Sequence, residues 1–214
     1  NMISELSKRI LTSFVLSCIS LFCIFKGSYL FIIFIFFIFC ISLFEWINLC
    51  KNKILLVFGL IFLIFSIVSS VIMRFESFSF FLFVILVSIF SDIGGYIFGK
   101  IFKGPKLTRI SPNKTYSGVF GSYCLSICVV MIYIFFIDNL FLSNLNINFQ
   151  EVLLITFIIS TINQFGDLLI SFFKRLNNLK HTGKILPGHG GLLDRIDGMI
   201  FAIPFSYLIH LLFL

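Results

Sequence analysis

Long runs of Phe, Ile and Leu alternate along the chain with short polar segments. A membrane-crossing helix needs about 20 mainly apolar residues, and most of these runs reach or approach that length. The pattern predicts an all-α, polytopic integral membrane protein with about seven transmembrane helices. The predicted spans are 10–25, 29–44, 54–73, 78–98, 117–137, 151–173 and 199–214. The first two and the last are short, so tilting or local bilayer thinning would accommodate them.

The polar and glycine-rich segments are concentrated in the later part of the chain. We therefore divide the sequence into an N-terminal group of transmembrane helices, residues 1–77, and a C-terminal transmembrane core, residues 78–214. The core is expected to carry the chemically active cytoplasmic loops.

The composition excludes a water-soluble domain. The chain is 59% hydrophobic and only 12% charged, whereas soluble domains carry about 25% charged residues. Its 32 Phe residues are typical of an AT-rich genome and carry no mechanistic information. The six cysteines include no Cys-x-x-Cys pair, and we interpret them as apolar filler.

The positive charges predict the orientation in the membrane. With the N-terminus inside, the cytoplasmic segments are 1–9, 45–53, 99–116 and 174–198, and they hold all basic residues except Lys26 and Arg74. Such a bias is typical of cytoplasmic loops. Two of these loops could also attract anionic lipids or nucleotides. Nucleic acid is not an expected partner, because no soluble basic domain is available to bind it.

Asp92 and Asp167 lie inside otherwise apolar predicted spans. A carboxylate at the centre of a membrane helix is unfavourable by about 2.5–3.5 kcal/mol on insertion scales, less near an interface. Placement at the headgroup level is the structural alternative for both. Asp167 also belongs to a polar stripe at helical spacing that reaches the membrane surface, which favours a site open to the cytoplasm. The stripe comprises Asn163, Asp167, Ser171, Lys174 and Arg175.

Two loops supply groups suited to binding phosphate. The first combines Lys114 with the hydroxyls of Ser111 and Thr115. The second, residues 187–191, is glycine-rich, and exposed backbone N–H groups just before a helix can bind phosphate oxygens. A polar surface role is the alternative for its histidine, His189.

Asp194 and Asp197 are three residues apart, on one face of a predicted helix, with Arg195 directed away from both. Two carboxylates so close repel each other unless a cation or proton lies between them. At neutral pH a hard divalent metal is the expected occupant, although Asp194 could pair with a nearby base instead. Carboxylates, bases and a glycine-rich loop on one membrane face together indicate phosphoryl or nucleotidyl transfer.

The stretch SFFKRLNNLKHTGKILPGHGGLLDRID, residues 171–197, resembles the signature of phosphatidate cytidylyltransferases, also called CDP-diacylglycerol synthases. The upstream segments SPNKTYSG and QFGD resemble the family's SPxKTxEG and QxGD, and the likeness covers residues 91–205. The residues that match the signature are Ser171, Lys174, Arg175, Lys180, His189, Gly190, Gly191, Asp194, Arg195 and Asp197.

The resemblance implies an enzyme of the bacterial inner membrane whose active site faces the cytoplasm. It would convert CTP and phosphatidate to CDP-diacylglycerol and pyrophosphate, with Mg²⁺ and a second cation, as a homodimer among membrane lipids. The metal ligands implied are Asp167, Asp194 and Asp197. The catalytic residues expected are these three with Lys174 and His189. The substrate-binding residues expected are Asp92, Ser111, Lys114, Thr115, Ser171, Arg175, Lys180, Gly190, Gly191 and Arg195.

The sequence departs from the family pattern in three ways. His181 follows the signature lysine where the family has Asp, and Ser117 replaces the family's Glu. The chain is also expected to be shorter than family members by an N-terminal span or two.

Two other functions remain open at this point. A CTP-dependent polyprenol kinase would use similar membrane-embedded carboxylates and would phosphorylate a lipid alcohol. A transporter of an anionic substrate would also place charges inside the membrane, but it would need polar groups that continue toward the outer face. The external loops carry few such groups.

Overall fold

In the described residues of the computed structural model, the chain forms seven α-helices and no β-strand beyond a single antiparallel bridge. Six of the helices are long and apolar enough to cross a membrane, and the apolar part of the first is shorter, Phe14–Lys26. The predicted all-α, polytopic membrane fold is confirmed. The structure describes residues 2–50, 52–108, 111, 114–136, 148–179, 181–183, 185 and 190–213. The helices are α1 (Met2–Lys26), α2 (Ser28–Leu49), α3 (Lys53–Glu76), α4 (Phe78–Phe102), α5 (Tyr116–Phe136), α6 (Phe149–Leu176) and α7 (Leu193–Phe213).

Several helices extend beyond the predicted membrane spans because polar residues continue the helix, and two of these extensions concern the candidate site. Helix α7 begins at Leu193, six residues before the predicted start at 199, so Asp194 and Asp197 lie in its first turns. Acidic side chains are favourable there because they interact with the positive end of the helix dipole. Helix α2 continues to Leu49, so Glu45 is a helical residue and not the first residue of a loop.

The chain divides into two compact units. Unit 1 comprises residues 1–74 and 173–196, and unit 2 comprises residues 75–172 and 197–214. The predicted division at residues 77 and 78 concerned the location of the active loops, and it stays a prediction.

In unit 1, aromatic packing joins α2 to two other segments. The Trp46 indole donates a hydrogen bond to the Leu56 carbonyl at 3.2 Å, covers Gly59, and lies edge-on to Phe173 at 5.6 Å between ring centroids. Arg74 donates to the Ile24 carbonyl at 2.8 Å, which satisfies a carbonyl of the last turn of α1.

In unit 2, glycines allow α4 and α5 to pack closely. A Cβ at Gly94 would contact the Gly121 backbone, and a Cβ at Gly118 would lie 2.8 Å from the Gly95 carbonyl oxygen. Small residues at such crossings let helix backbones approach within a membrane. Before α5, the Leu107 N–H donates to the Lys114 carbonyl at 2.8 Å. The close crossing and this turn bring the residues before α5 beside polar residues in the second half of α4.

Candidate active site

A cavity of about 260 Å³ lies within unit 2, between residues of α4, α5, α6 and the turn before α5. We call it the Lys114 cavity. Two carboxylates, Asp92 and Asp167, line it together with the Lys114 ammonium. Its other polar lining residues are Ser91, Tyr96, Ser111, Thr115, Ser122 and Gln164. Four of the predicted site residues, Asp92, Ser111, Lys114 and Thr115, therefore line one cavity with Asp167.

Lys114 is held by two acceptors on α6. Its Nζ lies 2.6 Å from Asp167 Oδ2 and donates to the Gln164 carbonyl at 3.2 Å. The Ser171 hydroxyl donates to the other oxygen, Asp167 Oδ1, at 3.3 Å. Both charged side chains of the ion pair keep partial access to solvent, so they are available to an anionic ligand and its cation.

The fully buried side-chain amide of Asn163 holds Asp92 in place by a hydrogen bond. Asn163 Nδ2 donates to Asp92 Oδ1 at 2.7 Å, and a Cβ at Gly198 would overlap the Asn163 side chain. Asn163 lies one helical turn before Asp167 on the polar stripe of α6. The stripe therefore orients Asp92 at one position and provides Asp167 at the next.

Thr115 begins α5 as its N-terminal cap. Its hydroxyl accepts the Gly118 N–H at 3.1 Å and lies 3.0 Å from the Ser117 hydroxyl. Ser117 stands where the resembling family has Glu, and here its hydroxyl also accepts the Gly104 N–H at 3.3 Å. The substituted position thus has a structural role in the turn that carries Lys114.

A second group of polar and charged side chains lies in unit 1, and we call it the Asp194 cluster. Lys174 Nζ donates to Asp194 Oδ1 at 2.8 Å, and both side chains are nearly buried, at 12% and 7% exposure. The other oxygen, Oδ2, accepts the Thr182 N–H at 3.0 Å and the Gly191 N–H at 3.3 Å. His181 Nδ1 lies 3.5 Å from the same oxygen. The cluster comprises Lys174, His181, Thr182, Gly190, Gly191 and Asp194.

The two glycines of the cluster have different structural requirements. Gly190 has a φ of 93°, a backbone conformation that residues with a Cβ rarely adopt. Gly191 lies against Thr182 and Glu45, where a Cβ would overlap both side chains. Both glycines bring the backbone close to Asp194, which is a structural role. The predicted binding of substrate by these glycines stays a prediction.

The remaining predicted residues lie at three kinds of position. Arg175 is exposed and donates to the Leu179 carbonyl at 3.3 Å, and Arg195 is exposed on the first turn of α7. Asp197 is buried in unit 2, and its Oδ1 accepts the Gly198 N–H at 2.9 Å. Lys180 and His189 lie outside the described residues.

Glu45 was not among the residues predicted from the sequence. This carboxylate is only 1% exposed and accepts hydrogen bonds from Thr182, Leu192 and Leu193. The available signal was a single acidic residue at the end of an apolar run, which we placed in a cytoplasmic loop. Its partners lie more than 130 positions away in sequence, so no local pattern connects them.

The donors of the Lys114 cavity fit a hard divalent cation. Its lining offers carboxylate, hydroxyl and amide oxygens, which are the donor type that Mg²⁺ prefers. No three His, Cys, Asp or Glu side chains within the described ranges form a metal-binding group. Mg²⁺ often binds through one or two carboxylates plus substrate phosphates. The expectation that Asp167, Asp194 and Asp197 share one metal site stays a prediction.

Comparison with known proteins identifies the class. The profile of the cytidylyltransferase family matches residues 51–213. The chain belongs to the cytidylyltransferase family.

Individual relatives of the chain carry more specific names than the family. Phosphatidate cytidylyltransferases of Staphylococcus haemolyticus and Staphylococcus epidermidis are 42% identical to the chain over 132 residues, and that of Staphylococcus aureus is 40% identical over the same length. Each alignment covers 61% of this chain and 48% of the relative. The chain thus aligns with about half the length of the curated relatives it matches.

Proposed function

We propose that this membrane protein is a phosphatidate cytidylyltransferase, which transfers CMP from CTP to phosphatidate and releases pyrophosphate. The observation that carries the proposal is the Lys114 cavity, where a lysine, two carboxylates and several hydroxyls line one space beside apolar helices. The staphylococcal relatives are named phosphatidate cytidylyltransferases, and these names support CTP and phosphatidate as the substrates.

In the proposed reaction, a phosphate oxygen of phosphatidate attacks the α-phosphorus of CTP. A new P–O bond forms, the bond between the α-phosphorus and the oxygen bridging to the β-phosphate breaks, and pyrophosphate leaves. A phosphate monoester is largely ionised near pH 7 because its second pKa is about 6. The attacking group therefore needs no strong base, and the cavity supplies a lysine for charge neutralisation.

Charge neutralisation is the main task of the protein in such a transfer. Lys114 would bind a phosphoryl oxygen, and the hydroxyls of Ser111 and Thr115 would orient the group. The volume of about 260 Å³ lies slightly below the usual 300–1,000 Å³ range for small-molecule sites. We assign the cavity to a phosphate-bearing part of the substrates and not to a whole nucleotide.

Mg²⁺, when bound, would neutralise charge on the transferred and leaving phosphates. Asp167 in unit 2 is its proposed ligand in the Lys114 cavity, with Asp92 beside it. Asp194 and Asp197 are the further ligands that the family resemblance implies, and a second cation is part of the same proposal.

The proposed setting is the bacterial inner membrane, with the active site on the cytoplasmic side and the protein as a homodimer. The distribution of basic residues supports the orientation. The relatives are bacterial proteins, which supports a bacterial membrane as the location.

The test is transfer of label from α-phosphate-labelled CTP to lipid by the purified protein. We expect a labelled lipid only when phosphatidate and Mg²⁺ are both present, with release of unlabelled pyrophosphate. Transfer of the γ-phosphate to a lipid alcohol would support the polyprenol kinase and contradict the proposal. No label transfer to lipid from either position would also contradict it.

A further inference from the structure

Glu45 is a buried carboxylate in the last part of the apolar helix α2. Its side chain is 1% exposed, although a carboxylate removed from water is strongly unfavourable unless hydrogen bonds compensate it. Both of its oxygens are engaged. Oε1 accepts the Leu192 N–H at 2.9 Å, and Oε2 accepts the Leu193 N–H at 2.8 Å and the Thr182 hydroxyl at 3.1 Å.

These bonds hold both ends of the segment 182–193, which contributes Thr182, Gly190 and Gly191 to the Asp194 cluster. Thr182 lies at its beginning, and Leu192 and Leu193 lie at its end, where α7 starts. The first N–H groups of a helix have no partner within the helix. Glu45 supplies that partner from another helix of unit 1, where a short polar side chain of the same segment would ordinarily do so.

Two glycines of the segment lie against this carboxylate. A Cβ at Gly183 would lie 2.6 Å from Glu45 Oε1, and a Cβ at Gly191 would lie 2.7 Å from Glu45 Oε2. Glycine at both positions therefore leaves room for the Glu45 side chain.

The same residues also hold Asp194. Thr182 donates its hydroxyl to Glu45 and its backbone N–H to Asp194 Oδ2. Gly191 donates to Asp194, and the next two N–H groups donate to Glu45. Thr182 donates to both carboxylates, and in the backbone of residues 191–193 the donor to Asp194 directly precedes the two donors to Glu45.

We infer that Glu45 is a positioning residue of the active site, which orients the Asp194 carboxylate through Thr182 and the backbone of residues 191–193. The kinetic part of this inference rests on the proposed function. The structural part does not, because it concerns hydrogen bonds within unit 1.

The primary variant is Glu45→Gln, which keeps the size of the side chain but replaces one acceptor oxygen with an amide NH2 group, a donor. At least one N–H or hydroxyl donor would then face another donor. Thr182→Val is the second variant, because it removes one hydrogen bond to Glu45 and keeps the backbone N–H that Asp194 accepts. Ser42→Ala is the matched control. Ser42 is also a buried polar residue of α2, one helical turn before Glu45, and its hydroxyl has no hydrogen-bond partner among the described residues.

The first measurement is hydrogen–deuterium exchange of the backbone at residues 190–195. We expect faster exchange in Glu45→Gln and Thr182→Val, and wild-type exchange in Ser42→Ala. The second is the affinity for Mn²⁺ alone, followed by electron paramagnetic resonance. We expect it to fall by about 10- to 100-fold in Glu45→Gln, as for other residues that orient a metal ligand, and by less in Thr182→Val.

The third measurement is turnover, where we expect a lower kcat and a higher half-activating Mg²⁺ concentration in the same order. Faster exchange with unchanged Mn²⁺ affinity and unchanged kcat would show that Glu45 only caps the helix, and it would overturn the inference. Unchanged exchange in both variants would overturn it as well. If Glu45→Gln fails to fold, Thr182→Val decides by the same criteria. If the wild-type protein transfers no CMP, the proposed function fails, and exchange and Mn²⁺ binding still test the role of Glu45.

Discussion

Lys114 combines a structural contact with the chemistry proposed for its cavity. Its backbone carbonyl accepts the Leu107 N–H in the turn before α5, and its ammonium reaches Asp167 and the Gln164 carbonyl on α6. A point charge on a flexible stem is suited to following a phosphoryl group as charge develops on it.

Replacing Lys114 should therefore remove transition-state stabilisation. We expect Lys114→Met to lower kcat by about 10²–10³-fold, the usual effect of losing one stabilising donor, and Lys114→Arg to retain part of the activity. Steady-state rates with CTP and phosphatidate measure this. Lys106→Met is the control, since Lys106 is an exposed base of the same turn. Equal losses in both lysine variants would indicate a general effect of surface charge.

Asp167 and Asp194 should differ in what their loss does to stability. The Asp167 pair is partly open to solvent, at 23% and 30% exposure, whereas Lys174 and Asp194 are nearly buried. We expect Asp167→Asn to abolish turnover with little change in the melting temperature. Asp194→Asn should also destabilise the protein by about 3 kcal/mol, because Lys174 loses its charged partner.

A double variant separates the two effects of Asp194. In Lys174→Met/Asp194→Leu neither member of the pair is left as a lone charge, so the melting temperature should rise above that of Asp194→Asn while activity stays lost. It should stay below the wild-type value, because the Thr182 and Gly191 N–H groups lose their acceptor. Glu76→Gln, at the exposed end of α3, is the control for removing one acidic charge. A double variant that regains activity would exclude Asp194 from the reaction.

At the scale of helices, the Lys114 cavity depends on the close approach of α4 and α5. Gly94 and Gly121 lie at their crossing, and a Cβ at Gly94 would lie 2.9 Å from the Leu125 Cβ in addition to its overlap with the Gly121 backbone. The walls of the cavity come from both helices, with Asp92 and Tyr96 on α4 and Gly118 and Ser122 on α5.

We expect Gly94→Ala to separate the helices and to lower stability by about 1–3 kcal/mol, as overpacking does. Thermal unfolding in detergent would measure this loss, and the KM for the substrates should rise because the cavity widens. Ile93→Ala is the control, because Ile93 is adjacent on α4 but partly exposed. A Gly94→Ala protein with wild-type stability would show that the crossing tolerates a methyl group.

The sequence predicted the helices well because apolar length alone determines membrane spans. It misplaced Glu45, which belongs to α2 and not to a loop. It expected Asp194 and Asp197 on one helix face, as α7 has them, but began the membrane span only at residue 199. The grouping of Asp92, Lys114 and Asp167 was expected only as residues on one membrane face. Their meeting in one cavity depends on lateral packing among α4, α5 and α6, and no spacing along the chain encodes it. The role of Glu45 was beyond sequence reasoning for the same reason.

For the whole molecule, α6 provides a direct test of the orientation in the membrane. Its 28 residues extend roughly 42 Å at 1.5 Å per residue, which exceeds the hydrocarbon core of about 30 Å. Its two ends should therefore lie on opposite sides. The positive charges predict that the end near Lys174 and Arg175 lies in the cytoplasm.

Single cysteines introduced at Asn148 and Leu179 would report on the two ends of α6. Both positions are exposed and flank the helix. Asn178 and Lys103 are less suitable because their backbones are left-handed, with φ of 57° and 44°, and a cysteine there would be strained. We expect an impermeant maleimide added to intact cells to label Asn148→Cys, and Leu179→Cys to react only after the membrane is opened.

The native cysteines should not disturb this experiment. Burial raises the pKa of the Cys50 thiol to about 11, so only about one thousandth of it would be thiolate, the reactive form, at pH 8. The other five lie within helices α1, α2 and α5, at positions that a membrane would shield from a hydrophilic reagent. The unsubstituted protein should therefore remain unlabelled at pH 8. Labelling of Leu179→Cys from outside intact cells would contradict the predicted orientation. The Asp194 cluster would then lie on the external side, out of reach of cytoplasmic CTP.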